Sequence, residues 1–311
     1  MVVLVYALVI GTASAVTIER ELPKPDVTPD SWMYGFKRVF EKIDLLLTFD
    51  ELKKAEKYIK YAELRLAEAR EMAKKGKADV VEDLAKEYEE NIKKSNEIIE
   101  KARNSGKDVT DVAELVAIAT AVHLDVLDGV REIVPEQAKP AIERAKEASM
   151  SGNRVALSAL ESVVPEKASE IHLRIAEKVL LKAREKAKKG EDISDLVEEY
   201  EKRINKSKEI AKAARELGRD TTAIEQLIEE ATSTHLQVLA GIYEIVPDEA
   251  KPAIEKAISV STKGEEETSS GVEKILEEEE EKVPVEKEVP AQESITQESI
   301  PEKPQIPAPA R

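Results

Sequence analysis

Apolar residues recur at spacings of three and four along most of this 311-residue chain, which is typical of amphipathic α-helices. Short turns containing glycine or proline interrupt the pattern, and such turns favour antiparallel neighbours. The sequence therefore predicts an all-α fold. The expected helices run from Asp30 or Ser31 to Thr48, over 49–75, up to Gly106, up to Pro135 and onward from Pro140, and then near 166–189, 192–217, 220–246 and 248–262.

The first predicted helix carries most of the large rings of the chain. Trp32, Phe36 and Phe40 share one face because they are four residues apart. We expect these three rings to anchor the first core. Thr48 and Glu51 have the spacing of a capping box for the second helix, whose Ala-rich seam resembles that of a coiled coil.

The chain contains an internal duplication. Residues 62–149 return, with a two-residue deletion, at 176–261, so that Tyr88 corresponds to Tyr200 and His123 to His235. The duplication predicts two tandem antiparallel helical bundles, over 30–150 and 151–263. Three prolines, Pro135, Pro165 and Pro247, are expected to mark the turns after long helices.

The N-terminal residues indicate export. Residues 2–10 are apolar apart from Tyr6, and they lead into the small residues at 11–15 that signal peptidases prefer. We expect a signal peptide over 1–15, a Pro-containing extended lead-in over 16–29, and a secreted or cell-surface location. The alternative is an uncleaved anchor, but the run is shorter than the roughly 20 residues of a spanning helix. No spanning helix is expected in the mature chain.

The C-terminal residues have a different composition. Residues 264–311 hold fourteen Glu against four Lys and one Arg, and six of the fourteen prolines. Such a segment has too little apolar surface to offset the entropy of ordering, so we expect a disordered acidic tail. It would serve as a spacer or tether, or only as a solubilising extension.

Composition excludes several classes of function. A net charge of −16 and an aromatic content of 4% disfavour nucleic-acid binding. The chain has no Cys and shows neither a Gly-flanked serine nor a phosphate-binding glycine loop, so no catalytic residue and no cofactor are predicted. The excess of Lys and Glu matches the composition of thermophile proteins.

The histidines offer one weak metal hypothesis. His123 has Asp125 and Asp128 nearby, and His with carboxylates is a common ligand set. His235 is the equivalent histidine of the second copy, where Gln237 and Ala240 replace the two aspartates. We therefore favour core positions for both histidines and predict no metal.

One stretch of the chain has a recognisable pattern: Pro29-Asp30-Ser31, Tyr34, Lys37-Arg38, Leu47-Thr48-Phe49-Asp50 and Ala62-Glu63-Leu64-Arg65-Leu66. This pattern resembles an uncharacterised domain family of exported or membrane-attached archaeal and bacterial helical proteins. The resemblance covers residues 29–70. It implies an extracytoplasmic helical module, and it carries over no site residues because the family has no assigned activity.

Three functional hypotheses follow. The first is an exported, non-catalytic structural or interaction protein of the cell envelope, with an unknown envelope protein or surface as its partner and with homo-oligomers as a further option. The second is an extracytoplasmic protein that binds a cation or small ligand. The third is a holdase-like chaperone, which would need exposed apolar grooves.

Overall fold

The computed structural model describes residues 21–262. The predicted signal peptide and the predicted disordered tail lie outside this range. Within it the chain forms nine α-helices and no strand, which confirms the predicted all-α class. The helices are α1 (Tyr34–Leu46), α2 (Glu51–Lys74), α3 (Ala78–Asn104), α4 (Thr110–Ile133), α5 (Lys139–Val163), α6 (Pro165–Lys188), α7 (Ser194–Glu216), α8 (Thr222–Ile245) and α9 (Lys251–Ser261).

The helices form two similar bundles, which we call unit 1 (α2 to α5) and unit 2 (α6 to α9). In unit 1, α2 packs on α3 and α4, and α5 packs on α3 and α4. In unit 2, α6 packs on α7 and α8, and α9 packs on the same two helices. The internal duplication is therefore a duplication of one four-helix arrangement, as predicted.

Glycine ends the first two helices of each unit. Gly76, Gly106, Gly190 and Gly218 have φ of 68°, 72°, 70° and 72°. At the first of them the amides of Gly76 and Lys77 donate to the carbonyls of Ala73 and Met72, which is the Schellman arrangement. A residue with a Cβ is strained at this φ, so glycine fixes the sharp reversal between antiparallel helices.

Proline marks the remaining turns, as predicted. Pro135 and Pro247 each precede a single 3-10 turn, at Glu136–Ala138 and Asp248–Ala250. Pro165 instead is the first residue of α6. Backbone N–H groups in the first turn of a helix have no intrahelical acceptor, so proline, which lacks an N–H, is tolerated there. Helix α6 therefore begins at Pro165, directly after Val164.

The predicted boundary between residues 150 and 151 is wrong. It falls inside α5, which is continuous from Lys139 to Val163 and packs on α6 as well as on unit 1. Ile171, Ile175 and Ile210 of unit 2 belong to the same buried apolar cluster as the core of unit 1. The two units therefore share a core at their junction.

One local prediction about the first helices is also wrong. Asp50, rather than Thr48, caps α2, because its Oδ1 accepts from the amides of Leu52 and Lys53 at 2.8 and 3.1 Å. The Thr48 hydroxyl donates instead to the Asp44 carbonyl.

The described helices include none with the length and apolar content needed to cross a bilayer.

The third correction concerns the expected core anchor. Trp32, Phe36 and Phe40 are not buried: 82%, 60% and 70% of their surfaces are exposed. The core of unit 1 is built without them, from aliphatic residues together with Tyr88. The physical reason lies in how α1 docks on α2.

Candidate functional site: the outward face of helix α1

Helix α1 docks on unit 1 through its polar side. Arg65 of α2 is fully buried beneath it, and its Nη2 donates to Glu41 Oε1 at 2.7 Å. Arg65 Nη1 also donates to the Tyr34 hydroxyl at 2.9 Å, and that hydroxyl donates to Glu68 Oε2 at 2.8 Å. Lys37 forms an ion pair with the same Glu68 carboxylate. A charged cluster therefore fills the space between α1 and α2.

The cluster continues along α1 towards its C-terminus. Asp44 accepts from the Tyr61 hydroxyl and from Lys57 Nζ, both at 2.5 Å. Burial, together with neighbouring carboxylates, raises the pKa of the Tyr34 and Tyr61 phenols well above the usual range. Burial alone would lower the pKa of Arg65, but the carboxylates around it raise it overall. Both phenols stay neutral and Arg65 stays charged at physiological pH.

The opposite side of α1 faces solvent. We call this surface the α1 face; its members are Trp32, Phe36, Val39, Phe40, Ile43, Leu46 and Leu47, and each is exposed. At 3.6 residues per turn these positions cover about 120° of the helix. The Trp32 and Phe36 rings meet edge to face at 6.3 Å. The remaining phenylalanine of the chain, Phe49, is also exposed just beyond the helix.

The internal duplication explains why α1 turns its polar side inward. Tyr61, Arg65 and Glu68 of α2 become Ile175, Val179 and Lys182 of α6. On α6 these positions pack against unit 1, with Ile175 in the shared core and Lys182 bonded to α4. Helix α1 covers the matching side of α2, and the charged residues of α2 select the polar side of α1.

A core role for the two equivalent histidines agrees with the structure. His123 is fully buried, and its Nδ1 lies 3.0 Å from the Tyr88 hydroxyl, which donates to Ser149. His235 is buried against the ring of Tyr200, with ring centres 5.4 Å apart. Burial lowers the pKa of His235 to about 4, so it is neutral at physiological pH.

The two aspartates of the metal hypothesis serve a different purpose. Asp125 pairs with Lys178 and Lys182, and Asp128 pairs with Lys182 and Lys146, at 2.5 to 3.1 Å. Burial opposes the ionisation of Asp128, but its bonds to the two lysines outweigh burial and lower its pKa. The pairs with Lys178 and Lys182 join α4 to α6, and the pair with Lys146 joins α4 to α5. Within residues 21–262 no three His or carboxylate side chains are grouped as a metal site would require.

A cleft of about 710 Å³ lies between the two units. It is lined by both cations and carboxylates, and some of them pair across the junction, as Asp125 does with Lys178 and Glu161 with Lys206. His172 lies in its wall, only 5% exposed, with Nε2 3.6 Å from Glu161 Oε1. Burial and then the nearby Arg203 lower the pKa of His172 although Glu161 opposes this. Sequence reasoning missed this cleft because no motif marks it.

The fold and the α1 face define a tandem-repeat helical protein with one helix added in front. Residues 26–137, which span α1 to α4, match a family described as Domain of unknown function (DUF5667). Residues 26–137 are thus similar to this family, and the predicted resemblance to a family without assigned function is confirmed. Among curated proteins no relative matches, and no solved structure matches either.

Proposed function

We propose that this chain is a non-catalytic interaction protein of the cell envelope that docks on the surface of a lipid bilayer through the α1 face. The single observation that carries the proposal is the inverted docking of α1, which leaves Trp32, Phe36 and Phe40 in water. Soluble domains seldom leave such a contiguous apolar surface uncovered unless it binds something.

The composition of the face favours a bilayer surface as the occupant. The only Trp and all three Phe of the chain lie on α1 or next to it. Trp and Phe on one side of an amphipathic helix suit the boundary between headgroups and acyl chains. The apolar run over residues 2–10 lies fewer than thirty residues upstream, and it either directs export or anchors the chain. An uncleaved anchor would hold the α1 face close to a membrane, whereas a cleaved signal peptide would release the chain on the outer side of one.

The proposal can be tested with the fluorescence of the single tryptophan. The chain from Val16 onward is titrated with phosphatidylcholine vesicles, because residues 1–15 would themselves bind lipid. We expect a saturable blue shift of Trp32 emission. The double variant Phe36→Ser/Phe40→Ser should weaken partitioning at least tenfold, since each buried phenylalanine contributes about 1.5–3 kcal/mol. Leu217→Ser is the matched control, because Leu217 is equally exposed but lies at the end of α7.

Two outcomes would contradict the bilayer assignment. Emission that stays unchanged with vesicles but shifts with protein concentration would assign the α1 face to a second copy of the chain. Equal loss of binding in the Leu217→Ser control would show that contact with lipid is unspecific. The envelope location is tested separately, by protease treatment of intact cells. Full protection of the chain under those conditions would contradict it.

Binding of a small ligand is a second candidate function, and the buried His172 in the inter-unit cleft favours it. The hypothesis predicts that a small anion or a divalent cation raises the melting temperature saturably at constant ionic strength. His172→Ala should abolish the rise. An identical shift from every salt would reject this candidate, because it would reflect screening alone.

A further inference from the structure

Four lysines beside the α1 face have side chains that form no ion pair and no hydrogen bond within residues 21–262. Lys42 belongs to α1, and Lys53, Lys54 and Lys60 belong to α2. Lys42, Lys53 and Lys60 are exposed, and Lys54 is half-buried. A surface that is apolar at its centre therefore has unpaired positive charge at its edges.

Lys42 borders the α1 face on one side. Residues four apart in sequence are about 40° apart around a helix. Lys42 therefore lies between Leu46, a member of the α1 face, and Arg38, which pairs with Glu87 of α3 at 2.6 Å. This edge of the α1 face is the one nearer to α3.

Lys53 and Lys60 border the other side. They are seven residues apart on α2, close to two turns, so they lie on the same side of that helix. The bond from Lys57 lowers the pKa of the Asp44 carboxyl, and the nearby charge of Lys60 lowers it further. Asp44 lies about 40° from Phe40 around α1, at the edge away from α3. Lys60 is therefore close to this second edge of the α1 face.

The carboxylates of the same stretch, residues 42–60, are mostly engaged. Asp44 is bonded within the cluster beneath α1, and Asp50 accepts from two amides of α2. Glu51 pairs with two lysines at 2.6 and 2.8 Å. Of these carboxylates, Glu56 alone has no partner among the described residues. Four unpaired lysines against one unpaired glutamate leave a local charge of +3.

This local charge is opposite in sign to the net charge of the whole chain, which is −16. At physiological ionic strength, exposed charges more than about 8 Å apart are largely screened from one another. The lysines at the edges of the α1 face, rather than distant acidic residues, therefore set the potential that a docked surface meets.

We propose that the α1 face binds bilayers that contain anionic lipids, and that Lys42, Lys53 and Lys60 contact the headgroups along its two edges. This lipid preference rests on the docking function proposed above. The aliphatic stem of a lysine can lie along the apolar region of a bilayer while its ammonium group reaches the phosphates. Each lysine close to an anionic surface raises the affinity about fivefold.

The test compares vesicles of two compositions. The chain from Val16 onward is titrated with pure phosphatidylcholine vesicles and with vesicles that contain about one-third phosphatidylglycerol, and Trp32 emission reports binding. We expect binding to the anionic vesicles to be at least tenfold tighter at low salt. Addition of about 0.5 M NaCl should remove most of this difference, because salt screens the lysines from the headgroups.

A double variant assigns the preference to the edges of the α1 face. Lys42→Gln/Lys60→Gln removes one lysine from each edge, so it should weaken binding to anionic vesicles at least tenfold and leave binding to phosphatidylcholine unchanged. The matched control is Lys189→Gln/Lys212→Gln, which removes the same charge from two exposed lysines of unit 2. The control should change the affinity for either vesicle less than twofold.

Three outcomes would overturn the proposal. Equal affinity for the two vesicle compositions would reject the lipid preference but leave docking on bilayers standing. An equal loss in the two double variants would show that net charge, and not the lysines beside the α1 face, sets the affinity. An absence of binding to both vesicles would reject the lipid preference together with the docking function.

Discussion

Arg65 Nη2 lies 2.7 Å from Glu41 Oε1, and this contact joins a fully buried guanidinium of α2 to a buried carboxylate of α1. The pair sits in a cluster that also includes Glu68 and the Tyr34 hydroxyl. Charges taken out of water are costly unless each one keeps its partners. Arg65 therefore decides whether the polar side of α1 remains docked.

The first prediction concerns removal of this guanidinium. Arg65→Met should lower the free energy of unfolding by about 3 kcal/mol, because it leaves buried carboxylates without their partner. It should also release α1, which a fall in Trp32 fluorescence anisotropy would report under native conditions. Chemical denaturation followed by circular dichroism gives the stability.

The control is Val179→Met, at the equivalent position of α6. Val179 is partly buried and uncharged, so this change should cost less than about 1.5 kcal/mol. If Arg65→Met is as mild as Val179→Met and leaves the anisotropy of Trp32 unchanged, then α1 is held by other contacts and the account of its docking is wrong.

The second prediction concerns Trp32, which the sequence predicts to be buried in the core and which is exposed in the structure. Trp32→Ala should change the free energy of unfolding by no more than about 0.5 kcal/mol, as is usual for an exposed side chain. Leu66→Ala is the comparison, since Leu66 is buried in α2, and it should cost about 2–5 kcal/mol. If Trp32→Ala lowered the free energy of unfolding by several kcal/mol, the Trp32 ring would be buried in the core and not exposed.

This contrast shows how far the sequence predicts the fold and where it fails. The hydrophobic periodicity and the glycines at helix C-termini locate the helices, because both signals depend only on the residues of the segment itself. The seam of α2 is predicted correctly, and Ala55, Ile59 and Leu66 are buried in it. Periodicity also groups Trp32, Phe36 and Phe40 on one face of α1, but it does not tell which face meets the protein.

The missing information about α1 lies on its neighbour. Tyr61, Arg65 and Glu68 place polar groups on one side of α2, and the second copy has Ile175, Val179 and Lys182 there. A comparison of the two copies at these positions would have indicated a polar docking side. The inter-unit cleft has no such signal, because its ion pairs, such as Asp125 with Lys178, join residues far apart in the sequence.

The third prediction uses two helical glycines with opposite surroundings. Gly152→Ala should destabilise the protein by about 1–2 kcal/mol, because the new methyl group would meet fully buried methyl groups of Ile92 and Thr120. Gly129→Ala should instead stabilise it by about 0.5–1 kcal/mol, since Gly129 has open space around it and alanine favours a helix. Thermal unfolding of both variants shows whether each change raises or lowers the stability of the protein. Stabilisation by both would mean that α5 is packed less closely on α3 and α4 than the structure indicates.

The last prediction follows from the lowered pKa of His235. Burial lowers this pKa to about 4 in the folded protein, against about 6.5 in an unfolded chain. The unfolded chain therefore binds a proton first as the pH falls, and stability is lost between about pH 6.5 and pH 4. At pH 4.5 the loss of stability due to this histidine alone should be about 2–3 kcal/mol relative to pH 7.

Other groups also titrate between pH 7 and pH 4.5, so the measurement must compare the pH dependence of stability in two proteins. His235→Leu should show a smaller fall in the free energy of unfolding between pH 7 and pH 4.5 than the unchanged protein, whatever its stability at pH 7. Parallel pH profiles for the two proteins would mean that His235 is protonated in the folded state, and that solvent or a carboxylate reaches it.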